Sequence, residues 1–244
     1  MAIIIFISLH WYFSLFLQSF FHHRYAAHHL FTMSKFWERF FYICCFVTHG
    51  SSYLSPSAYA IMHRLHHAYT DTKEDPHSPH NSSNIFSMLL KGRSYYFNIF
   101  IDNIFIEEKY KKKIPSWKQF DVMAHSWITR ALWVLIYIVL YIWLADKALM
   151  YLLLPLTITM GTIQGAIVNW WAHKFGYENF AMNNTSKNIL PVDILFCGEA
   201  YHNNHHKHPG KPNNAHKWFE FDATYFIMRL FNFCRIIRLN KAIN

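Results

Sequence analysis

Hydrophobic positions along this chain fall into three long runs and one mixed run. Residues 2–21 include no charged side chain, and a helix of that length crosses a bilayer core of about 30 Å. Residues 127–145 carry one charge, Arg130, near an end from which it can snorkel to the interface. Residues 148–172 carry none. Only Asp146 and Lys147 separate these last two runs, which predicts a hairpin of spans. Residues 36–54 are interrupted by Glu38, Arg39, Thr48, His49, Ser51 and Ser52, a pattern that reads as an amphipathic helix lying in the interface. Two less apolar segments remain, 55–126 and 173–244. Within the second, Asp222 predicts a helix start. Phe226, Ile227, Leu230, Phe231, Cys234 and Ile237 follow at helical spacing, with Arg229, Arg235 and Arg238 between them.

Composition agrees with a membrane protein, since 53% of residues are hydrophobic and only 15% charged. The net charge of +9 is not arranged as a nucleic-acid motif, and no nucleic-acid partner is expected. It fits the positive-inside pattern instead. With the N-terminus outside, one span, an interfacial 36–54 and the hairpin, all but Lys147 of the 23 Lys and Arg lie on the cytoplasmic side or its interface. The expected fold is therefore an all-α integral membrane protein with few transmembrane helices. Residues 1–244 form one domain, and 55–126 and 173–244 make a cytoplasmic helical cap. The first residues lack a basic n-region and a cleavage site, so a removable signal peptide is not expected. Cys44, Cys45, Cys197 and Cys234 show no metal-type pair spacing and read as reduced.

Histidine carries the chemistry. His63, His66 and His67 stand at i, i+3 and i+4, one face of a helix, and His202, His205 and His206 repeat that spacing. Asn169 and His173 are i and i+4. His23 and His28 are i and i+5, which a regular helix would splay, so the pair works best where a helix loosens on leaving the membrane. Neutral imidazole is the commonest ligand for iron, zinc and copper, and nine histidines exceed what one structural zinc needs. The pattern predicts a histidine-rich dimetal site. If 36–54 spanned the bilayer, the first two histidine groups would face opposite sides, so the shared site itself favours the interfacial reading.

Taken in order, HxxxxH, HxxHH and HxxHH resemble the membrane-bound fatty acid desaturases, more specifically the acyl-CoA desaturases of the stearoyl type (Δ9). Asp75-Pro76-His77 resembles that family's DPH. Asn169 with His173 and Gly176 resembles its NxxxHxxG, and the run from Gly198-Glu199 through His206 resembles its GExxHNxHH. The resemblance runs from about residue 4 to the end of the chain. Two features depart from it. The eukaryotic members have four spans, and the chain begins with the span that carries His23. The arginine and aspartate before the second box of animal members are Ile61 and Met62 here, so their hold on a CoA head group does not carry over.

The resemblance implies two iron ions (Fe2+/Fe3+) held by His23, His28, His63, His66, His67, His173, His202, His205 and His206, with Asn169 reaching one metal through a water. It leaves open which histidine serves which iron. Glu199, Asp75 and Asp193 are the acids expected to orient the imidazoles. O2 would be the co-substrate and a fatty acyl chain, as acyl-CoA, the substrate. No cytochrome b5 domain is fused and no Gly-rich dinucleotide fingerprint occurs. Electrons would come from a separate donor such as a ferredoxin or a cytochrome b5-like protein. The expected setting is a bacterial inner membrane with the site facing the cytoplasm. Two other readings are weighed against desaturation: a membrane diiron hydroxylase of a lipid or alkane, and a membrane metal transporter or metal-binding protein.

Overall fold

The computed structural model describes residues 1–240, and helices dominate them. Helix α1 (Ala2–Leu17) runs without a break into a π-helical segment, Gln18–Ala27. Strand β1 (Phe31–Met33) and α2 (Lys35–His49) follow, the latter capped by Ser34, whose hydroxyl accepts from the Trp37 amide. Then come α3 (Pro56–Tyr69), α4 (Ile85–Phe100), α5 (Glu108–Lys111), α6 (Lys118–His125) and α7 (Trp127–Leu144). A 3₁₀ turn, Ala148–Leu153, leads into α8 (Leu154–Ile158) and α9 (Met160–Trp170). The chain closes with α10 (His202–Lys207), α11 (Ala223–Phe233) and β2 (Ile237–Leu239). Helix α1 packs against α2 and α9, and α3 packs against the π segment and α4.

Two helices are long and apolar enough to cross a membrane, Ala2–Ala27 and Trp127–Leu144. A third crossing requires the bent pair Ala148–Ile158 and Met160–His173, whose axes differ by 63°. The run 148–172, charge-free in sequence, is thus broken at Thr159. The break has a local cause. The Thr159 hydroxyl donates to the Pro155 carbonyl at 2.7 Å, and the Ile158 carbonyl accepts from the Ser51 and Ser52 hydroxyls at 2.7 and 3.0 Å. Those serines satisfy a backbone acceptor that apolar surroundings would otherwise leave unpaired.

The outward surface of these helices is apolar. Ile4, Ile5, Leu9 and Phe13 on α1, Phe36, Phe40, Ile43 and Val47 on α2, and Ile128, Leu132, Leu135, Val139 and Ile142 on α7 are all exposed. Helix α2 turns its aromatic and polar face inward, burying Glu38, Phe41, Tyr42, Cys45 and His49. Its end requires Gly50: φ is +52°, and a Cβ there would lie 1.8 Å from the Tyr137 hydroxyl. Arg130 does not reach outward. It is half-buried and donates to the carbonyls of Ser51 and Tyr53, tying α7 to the loop after α2.

The predicted closing helix ends at Phe233. Cys234 caps it, Arg235 takes φ +58°, and Ile237–Leu239 pairs antiparallel with Phe31–Met33, Ile237 opposite Met33. This two-stranded ribbon covers the end of the π segment. Beneath it lies an aromatic core of Phe20, Phe21, Tyr25, Phe31, Phe41 and Tyr42, with Phe20 stacked on Phe31 at 4.8 Å between ring centroids.

Candidate metal centre

Four elements bring the histidines together. The π segment places His23 and His28. Its backbone bonds run from residue i+5 to i, as in His28 N to His23 O at 3.1 Å, so residues five apart become neighbours. Helix α3 supplies His63, His66 and His67. The 3₁₀ turn after α9, Trp171–His173, supplies His173, and α10 supplies His202, His205 and His206.

These nine side chains sort into two groups. His23, His28, His63, His67 and His205 form one, and His66, His173, His202 and His206 the other; in each, the donor atoms lie within 4.8 Å of one another. In the first, Nε2 atoms approach at 3.0 Å (His23 to His205), 2.8 Å (His28 to His63), 3.1 Å (His63 to His67) and 2.8 Å (His67 to His205). In the second they approach at 3.0 Å (His173 to His202), 3.0 Å (His202 to His206) and 3.3 Å (His66 to His206). Helices α3 and α10 each contribute to both groups. That division depends on how the helices cross, which the spacing of the boxes does not contain.

The other ring nitrogen of several imidazoles is fixed by an acid. His23 Nδ1 lies 3.0 Å from Glu199 Oε1, and His66 Nδ1 lies 2.9 Å from Asp75 Oδ2. A carboxylate only accepts, so Nδ1 carries the proton and Nε2 points a lone pair into the cluster. Lone pairs converging at about 3 Å repel unless a cation lies among them. Neighbouring ligands on one ion, with metal–nitrogen bonds of about 2.0–2.1 Å, are spaced in this way. The donor set therefore fits a metal in each group.

Electrostatics agree. Burial holds His63, His67, His202, His205 and His206 well below the usual imidazole range, with the neighbouring imidazoles adding to it. Burial, with His173 beside it, lowers His66 to about 3. Neutral imidazole is the form that binds a metal. Burial alone would raise Glu199, but His23 and Arg24 outweigh it and bring the carboxyl down to about 2. Asp75 moves the other way, because burial exceeds the help it receives from His77 and two backbone amides.

Asp193 does not reach the imidazoles. Its carboxylate accepts from the amides of Phe196, Gly198 and Ala200 at 2.6, 2.6 and 3.2 Å. It shapes the loop that delivers α10. Asn169 is half-buried on α9, one turn before His173, and its amide makes no hydrogen bond to other described residues.

Several contributors carry no local motif. Arg24 is fully buried and pairs with Asp222 at 2.7 Å, with Glu199 at 3.8 Å. Gly198 turns over Asp222 with φ +93°, where a Cβ would lie 2.3 Å from the carboxylate, and so Glu199 meets His23. Asp71 accepts from the Thr185 amide and hydroxyl at 2.7 and 2.8 Å and lies 3.5 Å from His173 Nδ1. Asn203 and Asn204, inside the last box, tie α10 to the carbonyls of Phe180, Ser186 and Asn214 and to Glu220. Arg64, between two ligand histidines, donates to the carbonyls of Ala26, Ala27, Tyr110 and Lys112, clamping the π segment to α3 and α5.

The family model for fatty acid desaturases matches residues 1–220. Among curated proteins, the chain is 28% identical over 217 residues to Delta-9 acyl-lipid desaturase 1 of Arabidopsis thaliana, covering 85% of this chain and 65% of that one. It is 28% identical over 226 residues to Delta-9 desaturase-like 2 protein of the same plant, covering 87% and 68%. It is 26% identical over 226 residues to Acyl-CoA 5-desaturase AL21 of Anemone leveillei, covering 87% and 63%. The chain thus spans about two thirds of the length of these relatives.

Proposed function

The chain belongs to the fatty acid desaturase family, and from that membership we propose that it introduces a cis double bond into a saturated fatty acyl chain. The observation that carries this reading is the pair of imidazole groups, six of their nine members buried and three half-buried, whose Nε2 atoms converge without a protein counter-group. We assign His23, His28, His63, His67 and His205 to one iron and His66, His173, His202 and His206 to the other, with Asn169 completing a ligand shell through a water.

The chemistry supplied by bound iron would be reduction of O2 and removal of hydrogen from unactivated methylenes, which lies beyond any acid–base side chain. Per turnover, one O2, two electrons, two protons and the two methylene hydrogens give one double bond and two waters. The residues of the chain hold and orient. Glu199 and Asp75 keep the protons of His23 and His66 on Nδ1. Burial keeps His63, His66, His67, His202, His205 and His206 neutral. The apolar outer faces of α1, α2 and α7 hold the site at a lipid surface, where an acyl chain is found.

The substrate is proposed as acyl-CoA and the bond as Δ9. A relative named for the Δ9 position, on acyl-lipid, supports the bond position, and a relative named for acyl-CoA, at position 5, supports the carrier. A separate donor such as a ferredoxin or cytochrome b5-like protein supplies the electrons, and the site faces the cytoplasm of a bacterial inner membrane, a side favoured by the distribution of Lys and Arg. A diiron hydroxylase shares the histidine logic, but the named relatives favour desaturation.

The test is expression with a ferredoxin and its reductase in a bacterium that cannot make unsaturated fatty acids. Membrane fatty acids are then profiled against a His63→Ala control. Cis-monoenes that depend on His63 are expected, and derivatised fragments give their position. Hydroxy acids in their place would overturn desaturation.

A further inference from the structure

A smaller set of donor atoms lies beside the nine histidines without joining either group. His22 sits on the π segment, and Cys45 and His49 stand one turn apart on α2. Their ligand atoms all lie within 4.8 Å of one another. His22 and Cys45 are fully buried and His49 is 2% exposed. Tyr59 packs against both His22 and His63, with ring centroids 5.5 and 5.6 Å away, and stands between this set and the first imidazole group.

Each imidazole is pinned on a backbone carbonyl. His22 Nε2 bonds the Leu54 carbonyl at 2.9 Å, and His49 Nδ1 bonds the Cys45 carbonyl at 2.7 Å. A carbonyl only accepts, so these nitrogens carry the ring protons, and the opposite nitrogens of neutral rings carry lone pairs. Those opposite atoms, His22 Nδ1 and His49 Nε2, are buried and have no hydrogen-bond partner. Native interiors rarely leave such acceptors unpaired. A histidine pinned through one nitrogen and bare at the other is arranged as metal-ligating histidines are.

We propose that His22, Cys45 and His49 bind one copper(I) ion at a third site, with two nitrogen ligands and one sulfur. Thiolate with imidazole suits soft ions. Two neutral imidazoles and one thiolate carry a single negative charge, so a monovalent ion leaves the buried unit neutral, the state that low-dielectric surroundings penalise least. A divalent ion would leave net positive charge there, and structural zinc takes four ligands where three are offered. Binding exchanges the Cys45 thiol proton for the ion, with release of H+ and no electron transfer. Because the ligands are buried, the ion enters as the chain folds.

The experiment expresses the full chain in copper-supplemented medium, purifies it in detergent with its iron, and measures both metals per chain. About one copper beside an unchanged iron content is expected, with X-ray absorption at the copper edge showing one sulfur and two nitrogen ligands. Cys45→Ser should keep its iron and lose copper affinity by at least tenfold, since losing a group that only orients a ligand already costs about that much, whereas Cys44→Ser should keep both metals. Copper bound equally well by iron-loaded Cys45→Ser, copper gained only at the expense of iron, zinc in its place, or no copper at all would overturn the proposal. If Cys45→Ser loses iron as well, the wild-type absorption spectrum decides: a copper site without sulfur refutes the assignment.

Discussion

At the scale of single residues, the groups that matter most are those that fix which nitrogen an imidazole presents. Asp75→Asn keeps the shape beside His66 Nδ1 but removes the charge that sets the tautomer. Loss of such a partner lowers metal affinity by about 10–100-fold. Glu199→Gln should do the same through His23, and iron retained against a chelator measures both. Asp193→Asn should act differently, through the loop before α10, and lower thermal stability before it changes iron affinity. The nine histidines were legible because a shared helix face leaves a spacing in the sequence. Two of the three acids were legible by proximity to the boxes. Asp71 and Arg24 were not, because their partners Thr185 and Asp222 are distant in the chain. Cys45 and His49 did carry a visible i, i+4 spacing, but their third member, His22, comes from another helix.

Elements show where local pattern and tertiary packing part company. The i, i+5 histidine pair already pointed to loosened winding, and the π segment is that winding carried over Gln18–Ala27. The break at Thr159 left little trace in an unbroken apolar run, because its stabilising partners, Ser51 and Ser52, belong to a different loop. Apolar spacing extended the last helix too far, since pairing with β1 recruits Ile237–Leu239 as a strand. Helix α6 offers a pH test. Asp121 accepts from the Tyr53 and Ser55 hydroxyls at 2.7 and 3.0 Å, yet burial outweighs those bonds and raises its carboxyl from 3.8 to about 6. Between those values the folded chain holds a proton that the unfolded chain has released. Its contribution to stability therefore falls as pH rises from 3.8 to about 6 and is flat above. Asp121→Asn should lack that fall, so its thermal midpoint should gain on the wild type as pH rises from 3.8 to about 6 and hold a constant offset above. A constant difference across that rise would refute the assignment.

The molecule as a whole pairs an apolar exterior on its long helices with an interior in which the histidine groups lie among aromatic and aliphatic clusters. Leu135 stands at the middle of α7 and is exposed. An arginine at the centre of a span costs about 2.5–3.5 kcal/mol on insertion, so Leu135→Arg should shift the protein into the alkali-extractable fraction of membranes. Arginine in place of the exposed and already cationic Lys112 should not. Apolar runs made the membrane setting legible. Their packing into one body was not, since it rests on contacts such as Arg130 to the Ser51 and Tyr53 carbonyls.

Helices α3 and α10 each lend histidines to both imidazole groups. Whatever draws the two helices into register for one ion has already positioned them for the next. The first ion bears the entropic cost of ordering and the second meets a prepared site, which makes loading positively cooperative. In a titration with the proposed metal, iron, followed by native mass spectrometry, chains should carry no ion or two, and singly loaded chains should stay scarce. By the same coupling Asp75→Asn, although it touches one group, should weaken metal binding in both.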